Sequence, residues 1–273
     1  MSLITITSGI GCEEMTIARL VADALKLELY DDQRLQEKAI EMGLSSEGVE
    51  SLDEKAPGLF NRLLRRKPEI YLDLLEALVY EVGRQGEGII FGHGAQFLLR
   101  DFECALHVRI FSSKASRIKH LMDQQGMSHE GAVKMIHKSD NERRGFLQFA
   151  FQMDWDDPSL YDLIINRDKL GTDSAATLIT GVAQSQVIKA CSIAALDSME
   201  RRSLLKKVRS EILKNNMSSL ELHIEVPEKG VVQITGSINP LESEGRLLEV
   251  VKGVQGVKEV RSEIVVPDLP DIG

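Results

Sequence analysis

The residues best placed to do chemistry lie near the start of the chain. Ile4-Thr5-Ile6-Thr7 reads as a buried strand, Ser8-Gly9-Ile10-Gly11-Cys12-Glu13-Glu14-Met15-Thr16 as a turn, and Ile17 to Leu25 opens a helix. A strand, a glycine-containing turn and a helix N-terminus form the layout in which backbone N–H groups and the helix dipole hold phosphate. Gly9, Gly11, Cys12 and Thr16 are its candidate phosphate-binding residues. An intact loop reads G-x-x-x-x-G-K-[ST], and its lysine neutralises the phosphates. Here Glu13 and Glu14 stand where that Gly and Lys belong. Two unit charges 4 Å apart interact by about 4 kcal/mol at an effective dielectric near 20, so exchanging attraction for repulsion costs up to about twice that before screening. Glu13 and Met15 also carry Cβ atoms where glycine would let the backbone curl around phosphate. The plain alternative is that the two acids favour the dipole of the helix they open.

Alternating strand and helix signals position this loop. After the first strand and helix come a short strand, Glu28-Leu29-Tyr30, and a helix from Gln33 to Met42. A polar capped segment, Ser45 to Asp53, precedes a long amphipathic helix over Pro68–Gln85, with Pro68 in its first turn. Gly88-Ile89-Ile90-Phe91-Gly92 is an apolar run bounded by glycine, as in a buried parallel strand. Ala105–Phe111 and Leu163–Asn166 are further strands. Ser113–Gln125, Ser128–Phe149 and Asp173–Gln186 read as helices. This order predicts an α/β domain over residues 1–186, a parallel sheet with helices on both faces.

The remaining chain follows a different pattern. Asp197–Asn215 is a charged helix, and Leu220–Val226 alternates apolar and polar residues. Pro227-Glu228-Lys229-Gly230 is a turn, Val231–Ser237 a second strand, Leu241–Val251 a helix and Gly256–Val266 a last strand. An α-β-β-α-β order predicts a small α+β domain over residues 197–267, with the boundary between Gln186 and Leu196 and a frayed tail from Pro267 to Gly273.

Composition sets limits. The 273 residues carry a net charge of −9, which argues against bulk binding of nucleic acid or anionic lipid. There is no apolar run of membrane-spanning length, and the N-terminus enters a strand without a signal-peptide pattern, so a cytoplasmic location is expected. Cys12, Cys104 and Cys191 are odd in number and lack metal-ligand spacing. Cys104 and Cys191 are expected as buried small hydrophobes, and Cys12 as a loop residue open to exposure.

Residues 1–183 resemble the cytidylate kinase-like branch of the P-loop nucleoside monophosphate kinases. The resemblance rests on Ile4-Thr5-Ile6 through Thr16–Leu25, on Leu29-Tyr30-Asp31, on Ile89-Ile90-Phe91-Gly92-His93-Gly94-Ala95, and above all on Asp154-Trp155-Asp156-Asp157-Pro158-Ser159-Leu160-Tyr161-Asp162-Leu163. It implies phosphoryl transfer from ATP, with Mg²⁺, to CMP or a similar acceptor. Such transfer depends on positioning and charge neutralisation. By this resemblance Gly11 and Thr16 match the loop, Thr16 assisting the metal, and Asp31 faces the acceptor. Lys138, Asp140, Arg143 and Arg144 fall on the lid helix, where arginine forks suit phosphate. His93 replaces the arginine that follows Gly92 in the family.

Each assignment has a plainer counterpart. His93 is either a phosphate ligand or a satisfied structural histidine, and Arg143 and Arg144 either lid residues or a solvated face. Asp154, Asp156 and Asp157 either bind a metal or cap the turn before Pro158. The run Arg62-Leu63-Leu64-Arg65-Arg66-Lys67 is either a solvated face or a patch for an acceptor phosphate or a partner.

Residues 197–267 resemble a BON domain, through Val231-Val232-Gln233-Ile234-Thr235-Gly236-Ser237 and Gly253-Val254-Gln255-Gly256-Val257-Lys258-Glu259-Val260. The resemblance implies a non-catalytic module that binds a protein or small ligand. Arg201, Arg202, Lys206, Lys207 and Arg209 make its first helix basic, either a partner surface or a solvated face. Two readings follow: a phosphotransferase with an altered loop, or an inactive kinase fold serving as sensor or scaffold with its BON-like module.

Overall fold

The computed structural model describes residues 2–43, 68–217, 222–238 and 243–265. The Ser45–Asp53 segment, the Arg62–Lys67 run and the Pro267–Gly273 tail lie outside the described residues.

The first unit is built on five parallel strands: β1 (Leu3–Ser8), β2 (Leu29–Tyr30), β3 (Gly88–Phe91), β4 (Ala105–Phe111) and β5 (Leu163–Asn166), in spatial order β2-β3-β1-β4-β5. Between them run α1 (Glu14–Leu25), α2 (Asp32–Glu41), α3 (Pro68–Gly83), the short α4 (Ala95–Leu98), α5 (Lys114–Gln125) and α6 (His129–Phe151), and after β5 comes α7 (Arg167–Ala183). Strand side chains alternate between faces, and both faces are covered. Ile4, Ile6, Ile89, Phe91, Leu106 and Val108 pack with Ile17 and Val21 of α1 and with Ala176 and Ile179 of α7. Leu3, Ile90 and Ala105 face the opposite way, onto α2 and α3. A sheet buried on both sides explains why its strands read as continuous apolar runs.

Helix starts follow side-chain caps. Asp31 accepts from the Arg34 N–H, Ser113 from Ser116, Ser128 from Gly131, Asn166 from Asp168 and Ser192 from Ala195. Two caps move expected boundaries. α7 starts at Arg167 rather than Asp173, with a bend at Gly171, where φ is 70°. α8 (Ile193–Lys214) starts four residues before Asp197.

The second unit comprises α8, β6 (Leu222–Glu228), β7 (Val231–Ser237), α9 (Glu244–Lys252) and β8 (Glu259–Val265). β6 and β7 are antiparallel, and β7 and β8 parallel, in a separate three-stranded sheet. β6 continues through Pro227 and Glu228, expected as turn residues, because a register shift between Glu225 and Glu228 absorbs the proline. Lys229-Gly230 alone makes the turn. α9 and β8 begin three residues later than expected, at the Ser243 cap and after Val257-Lys258. Leu204, Val208 and Ile212 of α8 pack with Val232, Ile234, Leu247 and Val251 in this unit's core.

The opposite face of α8 lies on α3. Met199 is fully buried there, and the Ser203 hydroxyl donates to the Ala77 carbonyl at 2.9 Å. Lys206 pairs with Asp73 (3.1 Å) and Glu76 (2.9 Å), Lys207 with Glu81 (3.6 Å) and Arg209 with Asp73 (3.7 Å). Arg202 lies over the rings of Tyr80 and Phe102. The basic stripe of α8, read as a partner surface or solvated face, is thus largely an internal contact with acids of α3. The same contact makes α3, expected to be amphipathic, buried on nearly every side.

The cysteines depart furthest from expectation. Cys104 and Cys191 form a disulfide, with Cα atoms 4.8 Å apart across a sequence separation of 87. It ties the segment entering α8 to the start of β4. Cys12 is the free cysteine among the described residues, and it is buried. No helix among the described residues is long and apolar enough to cross a membrane.

Candidate functional site

The loop between β1 and α1 sits at the carboxyl edge of the parallel sheet, where crevices outside strand ends receive ligands in α/β folds. Asp31, His93 and Arg167 also follow strand ends on this edge. Gly11 has φ 85°, and a Cβ there would approach the Arg117 carbonyl oxygen to 3.0 Å. Glu13 adopts φ 54°, left-handed backbone that disfavours a side chain, and makes no side-chain cap on α1.

An arginine from another element holds the loop. Arg117 on α5 lies so close to Gly9 that a Cβ there would meet its guanidinium at 2.7 Å. Its Nε donates to the Ile10 carbonyl at 2.7 Å, and its two terminal nitrogens donate to Asp140 of α6 at 2.9 and 2.7 Å. Burial alone would lower the Arg117 pKa, but the bidentate Asp140 pairing raises it above the ordinary value. The carboxylate of Glu13 is also engaged. It pairs with Arg167 at the start of α7 and with His120 of α5 at 3.4 Å.

Loop, α5 and α6 enclose a cavity of about 530 Å³. Gly11, Glu13, Glu14 and Thr16 line one wall, Lys134, Lys138, Glu142 and Arg143 of α6 the other, and Leu121, Met135 and Phe146 add apolar surface; Lys134 pairs with Glu130 at 2.6 Å and Lys138 with Glu142 at 3.9 Å. The α5–α6 hairpin has its own core, Ile118, Leu121, Ala132 and Ile136, against which Ile10 packs. The C-terminal half of α6 is anchored separately, with Phe146 and Leu147 in the main core and Phe151 stacked on Phe97 at 5.1 Å.

Among the sequence-predicted residues, Gly11, Thr16, Lys138 and Arg143 meet in this cavity. Asp140 stands behind it as the partner of Arg117. Arg144 points elsewhere and pairs with Asp156 at 3.3 Å. Gly9 lies beneath the Arg117 guanidinium. Cys12, expected as a loop residue open to exposure, is instead 1% exposed, and burial, then the charge of Glu14, push its thiol pKa up, so it is not a reactive thiolate. Asp31 caps α2 through the Arg34 N–H at 3.0 Å. His93 is buried, with Nε2 2.8 Å from Asp32 Oδ1. Asp31 is held by its own helix cap and His93 by Asp32 at the start of α2, and neither lines the cavity.

The Asp154–Asp162 run lies beneath the C-terminal half of α6. Asp157 accepts from the Ser159 N–H and hydroxyl, capping a 3₁₀ turn over Pro158–Leu160. Asp154 accepts from the Asp156 N–H, and Asp162 from the His107 N–H at 2.7 Å. Trp155 lies between two guanidinium groups, Arg109 at 5.1 Å and Arg143 at 5.5 Å from its ring centroid. Burial would raise the Asp156 pKa, but the hydrogen bond and charge of Arg109, reinforced by Arg144, hold it below the usual carboxylate range. By these hydrogen bonds Asp154 and Asp157 cap the turn around Pro158, while Asp156 pairs with Arg109 and Arg144.

Arg117, Arg167, His120 and Lys134 were not singled out in the sequence. None has a local signature. Arg117 sits in the first turn of the helix after β4 and Arg167 opens the helix after β5, and that position relative to a parallel sheet is the one signal that would have marked them.

The cytidylate kinase-like family model matches residues 3–169. Among solved structures, an uncharacterized protein from Eubacterium ventriosum ATCC 27560 is 22% identical, with a TM-score of 0.54 over 68% of this chain and 99% of that one. Shikimate kinase from Bacteroides thetaiotaomicron (17% identity, TM-score 0.40, 67% of this chain and 99% of that one) and dephospho-CoA kinase from Campylobacter jejuni (12%, 0.34, 67% and 98%) are more distant likenesses and carry no argument here. Among curated proteins, none matches the sequence. With the matched span covering the whole parallel sheet and its loop, the chain belongs to the cytidylate kinase-like family.

Proposed function

We propose that the first unit binds a nucleotide in the loop cavity and transfers a phosphoryl group from ATP to CMP or a similar acceptor. The observation that carries this reading is the cavity itself. Its volume of about 530 Å³ falls within the several-hundred-Å³ range of small-molecule sites. It sets a helix N-terminus and Thr16 opposite Lys134, Lys138 and Arg143. The absent loop lysine is offset in two ways: Glu13 is already paired with Arg167 and His120, and cations approach from α6 instead. In this reading Lys138 and Arg143 stabilise charge on the transferring group, Asp140 positions Arg117, and Asp31 and His93 border the acceptor. Mg²⁺ bound with ATP takes most of its ligands from phosphate and water, and Thr16, in the first turn of α1, is a hydroxyl on the cavity wall suited to add one. The ion would supply charge neutralisation beside Glu14.

A second reading is favoured by Glu13 and Glu14 themselves: a kinase fold used as a sensor or scaffold, acting with residues 197–267 as a BON-like binding module. The αββαβ order and the glycine turns at Gly230 and Gly256 support that module. A cytoplasmic location is part of the proposal, and it requires the Cys104–Cys191 pair to be thiols in that reducing compartment.

Calorimetric titration of the full chain with Mg·ATP, alone and with CMP, separates the two readings. Saturable binding that weakens at least about tenfold in Arg143→Gln, which removes one charge-assisted contact, supports the enzyme. No heat from either nucleotide refutes nucleotide binding and leaves the scaffold reading.

A further inference from the structure

A second cavity lies where the two units meet. It has a volume of about 320 Å³ and is walled by α2, the end of α3, α8, the β6–β7 turn and the Gln255-Gly256 bend before β8. Its lining is mostly charged, and cations exceed acids. Lys38, Arg84, Arg201, Lys207 and Lys229 face Glu41, Glu81 and Glu200.

The acids present are already shared. Glu81 takes Arg84 at 2.7 Å through one oxygen, and through the other the Ser203 hydroxyl at 3.3 Å and Lys207 at 3.6 Å. Glu41 serves both Lys38 at 3.0 Å and Arg34 at 2.9 Å. The Lys207 and Lys38 side chains are only 12% and 18% exposed, so water compensates them poorly. Burial lowers the Lys207 pKa, Glu81 opposes this, and the charges of Arg84 and Lys38 push it further down. A buried lysine with one distant, shared carboxylate gains from an added anion. The wall also depends on two glycines. Gly230 has φ 80° and Gly256 φ 104°, and a Cβ on Gly230 would meet Lys258 at 2.8 Å. The two bends can thus close against α8 and bring Lys229 to the rim, where it pairs with Asp197 at 2.6 Å and Glu200 at 3.0 Å.

We propose that this cleft is a second, non-catalytic binding site for a small phosphate-bearing anion, held by Lys38, Arg84 and Lys207 with Lys229 at the mouth. The guanidinium fork of Arg84 suits paired phosphate oxygens, and the lysines act as point charges around them. Because α2 and α3 belong to the first unit and the β6–β7 turn to the second, the anion bridges them and strengthens their contact. The site is independent of the loop cavity.

The test is calorimetric titration of the full chain with inorganic pyrophosphate, without metal, in wild type, Lys207→Gln, Lys229→Gln and Arg143→Gln. Loss of one charge-assisted contact predicts about tenfold or greater weakening in Lys207→Gln, a smaller loss in Lys229→Gln, and retained binding in Arg143→Gln. Lys229 is half exposed, so its variant keeps the test sound if Lys207→Gln folds poorly. ADP in parallel identifies the source: weakening of ADP binding by Lys207→Gln assigns the phosphate tail of a nucleotide, and weakening of pyrophosphate alone assigns a free anion. Absence of pyrophosphate binding, or binding that both lysine variants leave unchanged, overturns the proposal.

Discussion

Replacing Arg117 with methionine tests its clamp on the β1–α1 loop. The arginine side chain is 11% exposed and its partner Asp140 23%. The substitution removes two contacts to a carboxylate and one to the Ile10 carbonyl, and leaves Asp140 without its bidentate partner. Breaking a buried pair from one side costs about 3–5 kcal/mol, and the partial exposure of Asp140 places this one near 3 kcal/mol. At the usual unfolding entropy per residue, a chain of this length loses about 5 °C in Tm. The reporter is Trp155, the single tryptophan, which lies beside Arg143 of the same helix that bears Asp140. The double variant Arg117→Met, Asp140→Leu removes the stranded charge and recovers much of the loss. A Tm change under 1 °C in the single variant would refute the clamp and make Arg117–Asp140 an ordinary screened surface pair. A double variant as unstable as the single one would place the loss in the Ile10 contact rather than in the pair.

Two further outcomes follow from the same structure. Reduction of the Cys104–Cys191 disulfide, or Cys191→Ser, is expected to lower stability by about 4–5 kcal/mol through the closure entropy of a loop of this length; identical melting with and without reductant, with the oxidised state verified by thiol titration, would contradict it. His107 is buried, with Nδ1 2.8 Å from the Thr5 hydroxyl, and burial holds its pKa below the ordinary 6.5 despite the opposing charge of Asp162. A depressed folded-state value means that the unfolded chain takes up the proton first, so stability is full above 6.5 and declines as pH falls from there toward the folded value. Urea midpoints measured across that interval should slope down in wild type and less so in His107→Gln, and parallel profiles would exclude His107 as the cause.

Much of the architecture was legible because its signals are local. Apolar runs flanked by glycine mark strands buried on both faces, and the alternation at Leu222–Val226 marks one buried on a single face. Ser, Asp and Asn caps place helix starts, as at Ser113 and Ser128. Boundaries slipped where a cap sat outside the obvious periodic stretch, at Asn166 and Ser192, and where a bulge let β6 run through Pro227.

The site was only half legible, for a physical reason. Strand, loop and helix are contiguous, so local pattern places a glycine-containing loop with two glutamates at a helix N-terminus. Local pattern also determined the parallel α/β unit and the small α+β unit after it. What those glutamates face is set by side chains far away in the chain. Arg117 reaches Ile10 across 107 positions, and Arg167 reaches Glu13 from beyond β5. Charge pairing acts through space and leaves no periodicity to read. The same holds for the basic stripe of α8, which looks solvated until α3 presents Asp73, Glu76 and Glu81, and for Cys104 and Cys191, which lie 87 positions apart and meet where the segment entering α8 reaches the start of β4. Which charges in this chain are compensated therefore follows from the packing of distant elements and not from local pattern.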